Sequence, residues 1–236
     1  VNAPPAPGRH TRCVSWPDGE RRAAVRCYSS GGQAIQCCGH GLLCCAEHWL
    51  RHWGAPGTLQ SCGTDLPCRR REGLTWIGFP TMALTPLAPP GWLTTVLPGL
   101  HAASVLRCAS AGPDDGYLVV ELAAGADLPA LDAPGAALAA YTHRALILAC
   151  GVDARSAQHD EALHYRYFAP QYGAAEDVAT GSAMRVLASY WPASGAPLTA
   201  LQRSRAGGYL HALRDGDTTW VGGRVAAQQQ ERRAHG

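Results

Sequence analysis

Short apolar runs broken by glycine and proline make up most of the chain, and their period switches between that of a strand and that of a helix. Residues 10–14 and 23–28 read as strands separated by the Pro17-Asp18-Gly19 turn, which predicts a hairpin. From residue 39 to about 53 the spacing is helical with a near-continuous apolar start, and Gly54 and Pro56 close it, so a buried helix is predicted. Residues 59 to about 82 suggest further strands, including Leu74-Thr-Trp-Ile. Residues 86–91 are Pro-rich and break the pattern before a short helix at about 92–97. That break is the expected boundary between a first domain, residues 1–91, and a second, residues 92–225.

In the second part, residues 117–122, 145–150 and 163–168 read as strands, and residues 134–141 as a short helix. A second central helix is predicted over 181–191. Residues 209–213 and 218–221 flank Asp215-Gly-Asp217 as a hairpin. The Pro-rich residues 1–9 read as a mobile arm and the Gln-rich residues 226–236 as a frayed polar tail.

One unit occurs twice. A strand carrying Arg and an aromatic, a glycine loop, and a helix opened by glycine run from Val25 through Cys38-Gly39-His40-Gly41 to Trp53. The same order runs from Arg166 through Gly173 and Thr180-Gly181-Ser182 to Trp191. Two related halves facing each other would bring two helix N-termini to one cleft. Unpaired N–H groups and the helix dipole could hold a small carboxylate there, with Asp177 beside it for proton work. The plainer alternative is that Asp177 caps a helix, the glycines make turns, and the similarity of the units is chance.

Composition removes several functions. Of 236 residues 47% are hydrophobic, enough for one large core or two modest ones. Charged residues are 16% and net charge is +2, which gives no footprint for nucleic acid, and Arg69-Arg70-Arg71 is relieved at once by Glu72. No apolar run is long enough to cross a bilayer and no secretory leader is visible, so a soluble, cytoplasmic protein without a membrane partner is expected. The chain contains no lysine, which excludes a Walker phosphate loop and a lysine Schiff base. A dinucleotide fingerprint is missing too. The expected chemistry therefore uses side chains alone, with no cofactor.

Ten cysteines admit three readings. Cys37, Cys38, His40, Cys44, Cys45, His48 and His52 are crowded enough for zinc or copper, but lack Cys-x-x-Cys spacing. Disulfides are little needed by so aliphatic a chain. Small apolar filler in a buried helix is the favoured reading, with no metal expected, and Cys62 and Cys68 are the remaining disulfide or metal candidates.

Arg166-Tyr-Phe-Ala-Pro, Gly173, Glu176-Asp177 and Ala179-Thr-Gly-Ser-Ala183 resemble the second-half signature of the phenazine-biosynthesis PhzF-like proteins, relatives of diaminopimelate epimerase. Cys38-Gly39-His40 followed by Leu42-Leu43 is similar to the family's first-half motif. Asp114 to Leu122, Gln202, and Ala206-Gly-Gly-Tyr-Leu210 also fit its layout. The resemblance implies an α+β fold of two similar domains, each a mixed or antiparallel sheet wrapped around a central helix, and commonly a homodimer. It also implies cofactor-independent proton shifts on small carboxylates in an interdomain cleft. By matching position His40 and Asp177 would handle protons, while Gly39, Gly41, Thr180, Gly181 and Ser182 would bind the substrate.

Two departures from the family follow. Its opening strand and first helix have no counterpart before Val1, so the first domain is read as N-terminally truncated, its sheet incomplete or completed by a partner. Counting back from Arg26, the place of the family's catalytic glutamate falls on His10, whose neutral imidazole can serve as a base near pH 7. Unlike the two-thiol racemases of this fold, the second half has no cysteine near residues 177–182. The leading expectation is an isomerase. The alternatives are a divergent homologue that only binds a small anion, and a Cys/His metal-binding protein.

Overall fold

The computed structural model describes residues 11–29, 31–35, 37–152, 161–173, 175–191 and 196–226. His10, residues 1–9 and residues 227–236 lie outside them, and with them the readings of a base at His10, a mobile arm and a frayed tail. The described chain begins with the expected hairpin. Strands β1 (Arg12–Pro17) and β2 (Arg22–Tyr28) pair antiparallel with Cys13 opposite Cys27, and the two-residue β3 (Ala34–Ile35) adds to β2.

Helix α1 (Gly39–Trp53) follows, and Gly54 ends it in the left-handed region at φ 66°, its N–H bonded to the Leu50 carbonyl. Strands β4 (Gly57–Ser61), β5 (Thr64–Arg71) and β6 (Leu74–Pro80) form a meander, with β4 parallel to β2. Its two tight turns are Cys62-Gly63 (φ 48° and 78°) and Glu72-Gly73 (φ 55° and 73°), positive at both central residues, which suits the right-handed twist of a hairpin.

Beyond the meander come β7 (Leu84–Leu87), the short α2 (Leu93–Val96), β8 (Val105–Ala111), β9 (Tyr117–Leu122), β10 (Ala145–Gly151) and β11 (Leu163–Phe168). Helix α3 (Gly181–Tyr190), β12 (Leu198–Gln202), β13 (Gly208–Asp215) and β14 (Thr218–Gly223) complete the chain. Among the described residues all the strands join one mixed sheet in the order β1-β2-β4-β5-β6-β14-β13-β12-β11-β10-β9-β8-β7. Both long helices belong to one core, α1 through Leu42, Ala46 and Leu50, and α3 through Ala183, Met184 and Leu187. This is an α+β, sheet-dominated fold built around central helices.

Three features differ from the sequence pattern. Pro86, read as part of a break, lies in β7 opposite Ala109; β7 is the last strand of the sheet, where a missing N–H costs no ladder bond. The segment expected as a helix at 134–141 is a 3-10 turn, Gly135–Ala140. Strands β8 and β12, to which the pattern assigns no element, mix apolar, small and polar residues and are held by their sheet neighbours.

The continuous apolar runs of β9 and β10 have a direct cause. Val119, Ile147 and Ala149 face the helix core, while Leu118, Val120, Leu146 and Leu148 face a second cluster with Leu93, Leu97 and Leu138. Each Leu or Ile fully buried there contributes about 1.5–3 kcal/mol, which outweighs the modest strand preference of leucine and alanine.

Candidate active site

The two repeated glycine–helix units meet end to end. A Cβ on Gly39 would stand 3.1 Å from the Cα and backbone N of Gly181 and 3.4 Å from the N of Ser182, so the first turns of α1 and α3 are in direct backbone contact. Helix α1 starts at Cys38 and α3 at Thr180, both extended, with no side-chain hydrogen bond capping either end and no acidic residue in either first turn. Two positive helix ends thus share one location with no carboxylate in either first turn, an arrangement suited to an anion. Glycine at position 39 is what permits it. Gly39→Ala is expected to cost about 1–3 kcal/mol, because the added methyl meets rigid backbone and not a side chain that can swing away. Thermal unfolding of the variant measures this.

His40, half exposed on the first turn of α1, brings Nε2 to 3.9 Å from Asp177 Oδ1. Asp177 does not cap α3. Its carboxylate accepts the Val178 N–H at 2.8 Å and the Thr180 hydroxyl at 2.8 Å, which fixes it in the loop ahead of the helix. Thr180 is buried, and its hydroxyl positions Asp177. Ser182 is half-buried in the first turn of α3, near Tyr117, whose phenol burial pushes up.

Gly41 has a packing role that its motif does not announce. A Cβ there would fall 2.1 Å from Cys13 Sγ and 3.2 Å from Cys38 Sγ, so this glycine makes room for sulfur.

Gln202 fits the family layout in sequence and has a definite structural part. It is fully buried and clamps the turn: Nε2 donates to the Asp177 carbonyl at 2.6 Å and to Thr180 Oγ1 at 3.3 Å, and Oε1 accepts the Thr180 N–H at 2.6 Å. A single glutamine in a strand carries no signal of such a role. Arg166 anchors the same loop one residue earlier. Its guanidinium grips Glu176 through two bonds, at 2.7 and 2.9 Å, and donates to the Leu128 and Leu131 carbonyls.

The cysteines divide. Cys37 and Cys44 are exposed, Cys62 sits in a hairpin turn, and Cys68 is buried with its thiol donating to the Gly57 carbonyl at 3.4 Å. The Cys62 and Cys68 candidates therefore form no disulfide with each other. Apolar filler describes Cys45 alone among the helix cysteines near the site, and even Cys45 joins Cys13, Cys27 and Cys38 in a group of contacting thiols. Among the described residues no group of three or more His, Cys, Asp or Glu is arranged to hold a metal ion.

Cys38 is drawn down to about 5 by the Cys13 thiol and, against its burial, by His40 and the Gly41 N–H. His40 is raised by Cys38 first and by Asp177 as well. The signs follow. Stability from the Cys38 thiolate is present above its ordinary 9.0 and lost as pH falls through about 5. Stability from charged His40 is full below 6.5 and lost as pH rises through its elevated value. An imidazolium–thiolate pair spans the interval between. Alkylation of Cys38, followed peptide by peptide, is expected to titrate near 5 and not near 9. His40→Gln moves that midpoint upward.

The comparisons with known proteins come from two directions. A family model, PhzC-PhzF, described as phenazine biosynthesis-like protein, matches residues 67–226. A phenazine biosynthesis protein of the PhzF family from Enterococcus faecalis is 20% identical over 90% of this chain and 78% of its own, with a TM-score of 0.73. A PhzF-family protein from Bacillus anthracis is 15% identical over 92% of this chain and 82% of its own, TM-score 0.68. A predicted epimerase from Pseudomonas aeruginosa is 20% identical over 90% and 80%, TM-score 0.60. No curated protein matches the sequence. At these identities the solved structures show the shared fold, and the family model, which covers well over half of the sequence and includes Asp177, Thr180, Gly181 and Ser182, shows that the chain belongs to the PhzC-PhzF family of phenazine biosynthesis-like proteins.

Proposed function

We propose that the chain is a cofactor-independent isomerase that moves a proton within a small carboxylate, by double-bond isomerisation or epimerisation. The observation that carries this reading is the meeting of two uncapped helix N-termini at Gly39 and Gly181, with the His40–Asp177 pair at their rim. The substrate carboxylate lies beside the glycines against the first-turn N–H groups, because the glycine backbones themselves touch. As a carbon next to that carboxylate loses its proton, charge spreads onto the oxygens, and the two helix ends stabilise it without reorganising.

His40 and Asp177 share the proton work. A carboxylate held by two hydrogen bonds orients and charges the imidazole, and the raised affinity of His40 for its proton suits it to return a proton near neutral pH. Membership of the PhzC-PhzF family and the epimerase described among the structural relatives agree with a reaction of this class. A biosynthetic role on amino-acid-derived or natural-product carboxylates, a homodimer and a cytoplasmic site belong to the same proposal. No helix among the described residues is long and apolar enough to cross a membrane.

The test is a screen of unsaturated and hydroxylated carboxylates in D2O. A substrate takes up deuterium at carbon, read by NMR or mass spectrometry. Tight binding of a carboxylate with no exchange across the screen would replace the isomerase with an anion-binding protein.

A further inference from the structure

Cys13 and Cys27 face each other directly across β1 and β2, with their sulfurs 3.1 Å apart. Directly opposed residues of an antiparallel pair have Cα atoms about 4.5–5.5 Å apart, inside the span a disulfide bridges. Sulfurs sharing one zinc ion would stand about 3.8 Å apart, from Zn–S bonds of about 2.3 Å in a tetrahedron, so this contact is the wrong one for metal. Cys38, at the start of α1, reaches the same group of thiols: both its sulfur and that of Cys13 crowd the space over Gly41. We propose that Cys13 and Cys27 are an oxidation site, converted by a peroxide to a cross-strand disulfide through Cys38 as the entry thiol.

The steps balance. The Cys38 thiolate attacks one peroxide oxygen and breaks the O–O bond, giving a sulfenic acid and hydroxide. Cys13 gives up its proton, its sulfur bonds to the Cys38 sulfur, and water leaves. Cys27 then loses its proton to the hydroxide and attacks the Cys13 sulfur, expelling Cys38 as thiolate. Two thiols are oxidised, one peroxide is reduced to two waters, and Cys38 returns to its starting state. Cys38 is half-buried while Cys27 is buried, which makes Cys38 the accessible entry. A low-pKa thiol is also the better leaving group, so exchange runs toward the Cys13–Cys27 bond.

The reaction changes the site. Reduced Cys13 has one S–H proton to offer its neighbours, and oxidation removes it. The groups facing Cys38 are Cys13 on β1, Cys27 on β2, His40, Cys44 and Cys45 on α1, Cys37 beside it, and Asp177 beyond His40. Of these Cys13 does most to favour the Cys38 thiolate, so the alkylation midpoint of Cys38 rises on oxidation.

The experiment treats the full chain with hydrogen peroxide and maps peptides without reduction. The expected product is a Cys13–Cys27 cross-link with Cys38 still alkylatable at a raised midpoint. Cys38→Ser slows its formation by at least about tenfold, and Cys27→Ser stops at a Cys13–Cys38 link. If Cys38→Ser fails to fold, the Cys27→Ser product decides alone. Over-oxidised Cys38 without a cross-link, a link between two chains, or stoichiometric metal released from protein purified with its thiols protected would each overturn the proposal.

Discussion

Asp177→Asn is expected to lower deuterium incorporation into substrate by about 10²–10⁴-fold, the usual worth of a positioned acid or base, while leaving the fold intact. Asparagine fills the same space, and its amide oxygen can keep the Val178 N–H bond that the carboxylate makes at 2.8 Å. What it loses is charge 3.9 Å from His40 Nε2. With Asp177 neutral, His40 loses one of the two partners that raise it, so the limb of the rate profile set by His40 moves to lower pH. His40→Asn should cost a comparable amount. The double variant should cost little more than either alone, because the two residues act as one unit. Additive losses would mean that they work on separate protons.

The largest effect on stability is expected at Arg166. Arg166→Met should lower the free energy of unfolding by about 3–5 kcal/mol, because it leaves Glu176 and two inward carbonyls without their donor. The Arg166 side chain is 7% exposed and that of Glu176 22%, so solvent screening recovers little of the loss. Its guanidinium also lies over the Phe168 ring, 4.8 Å from the centroid, which methionine replaces only in part. Glu176→Gln, which keeps an acceptor for the guanidinium, should cost less. Urea unfolding of the two variants gives the comparison. Because Glu176 immediately precedes Asp177, Arg166→Met should also slow exchange, and the Glu176 variant should slow it less.

Much of the fold is legible in the sequence, for particular reasons. Helix α1 announces itself because Gly39 opens it, its apolar residues keep helical spacing and Gly54 stops it in the left-handed region. The runs in β9 and β10 are continuous because both faces of the sheet are covered there. Strand β7 is hidden by Pro86, whose presence is tolerable only at a sheet edge, and edge position is a property of the assembled sheet.

The site divides the same way. Gly39 and Gly181 can be picked out because each stands at the head of a helix in a repeated unit. Their contact with one another is a tertiary fact. Gln202 reaches the loop from a strand 25 residues beyond Asp177, and nothing local distinguishes it from a surface polar residue; Arg166 belongs to the repeated unit, but its grip on Glu176 is a tertiary fact. The room that Gly41 leaves is likewise hidden: its missing side chain makes space for Cys13, a residue on β1 that no local motif connects to it.

The most direct test of the account is a titration of the isotopically labelled protein with small carboxylates, following the amides of Gly39 and Gly181 by NMR. The account predicts that one ligand shifts both amides together along a single saturation curve, accompanied by the His40 ring, and that Gly39→Ala abolishes the response at both. Shifts confined to one helix end, or saturable binding that moves neither glycine, would contradict it.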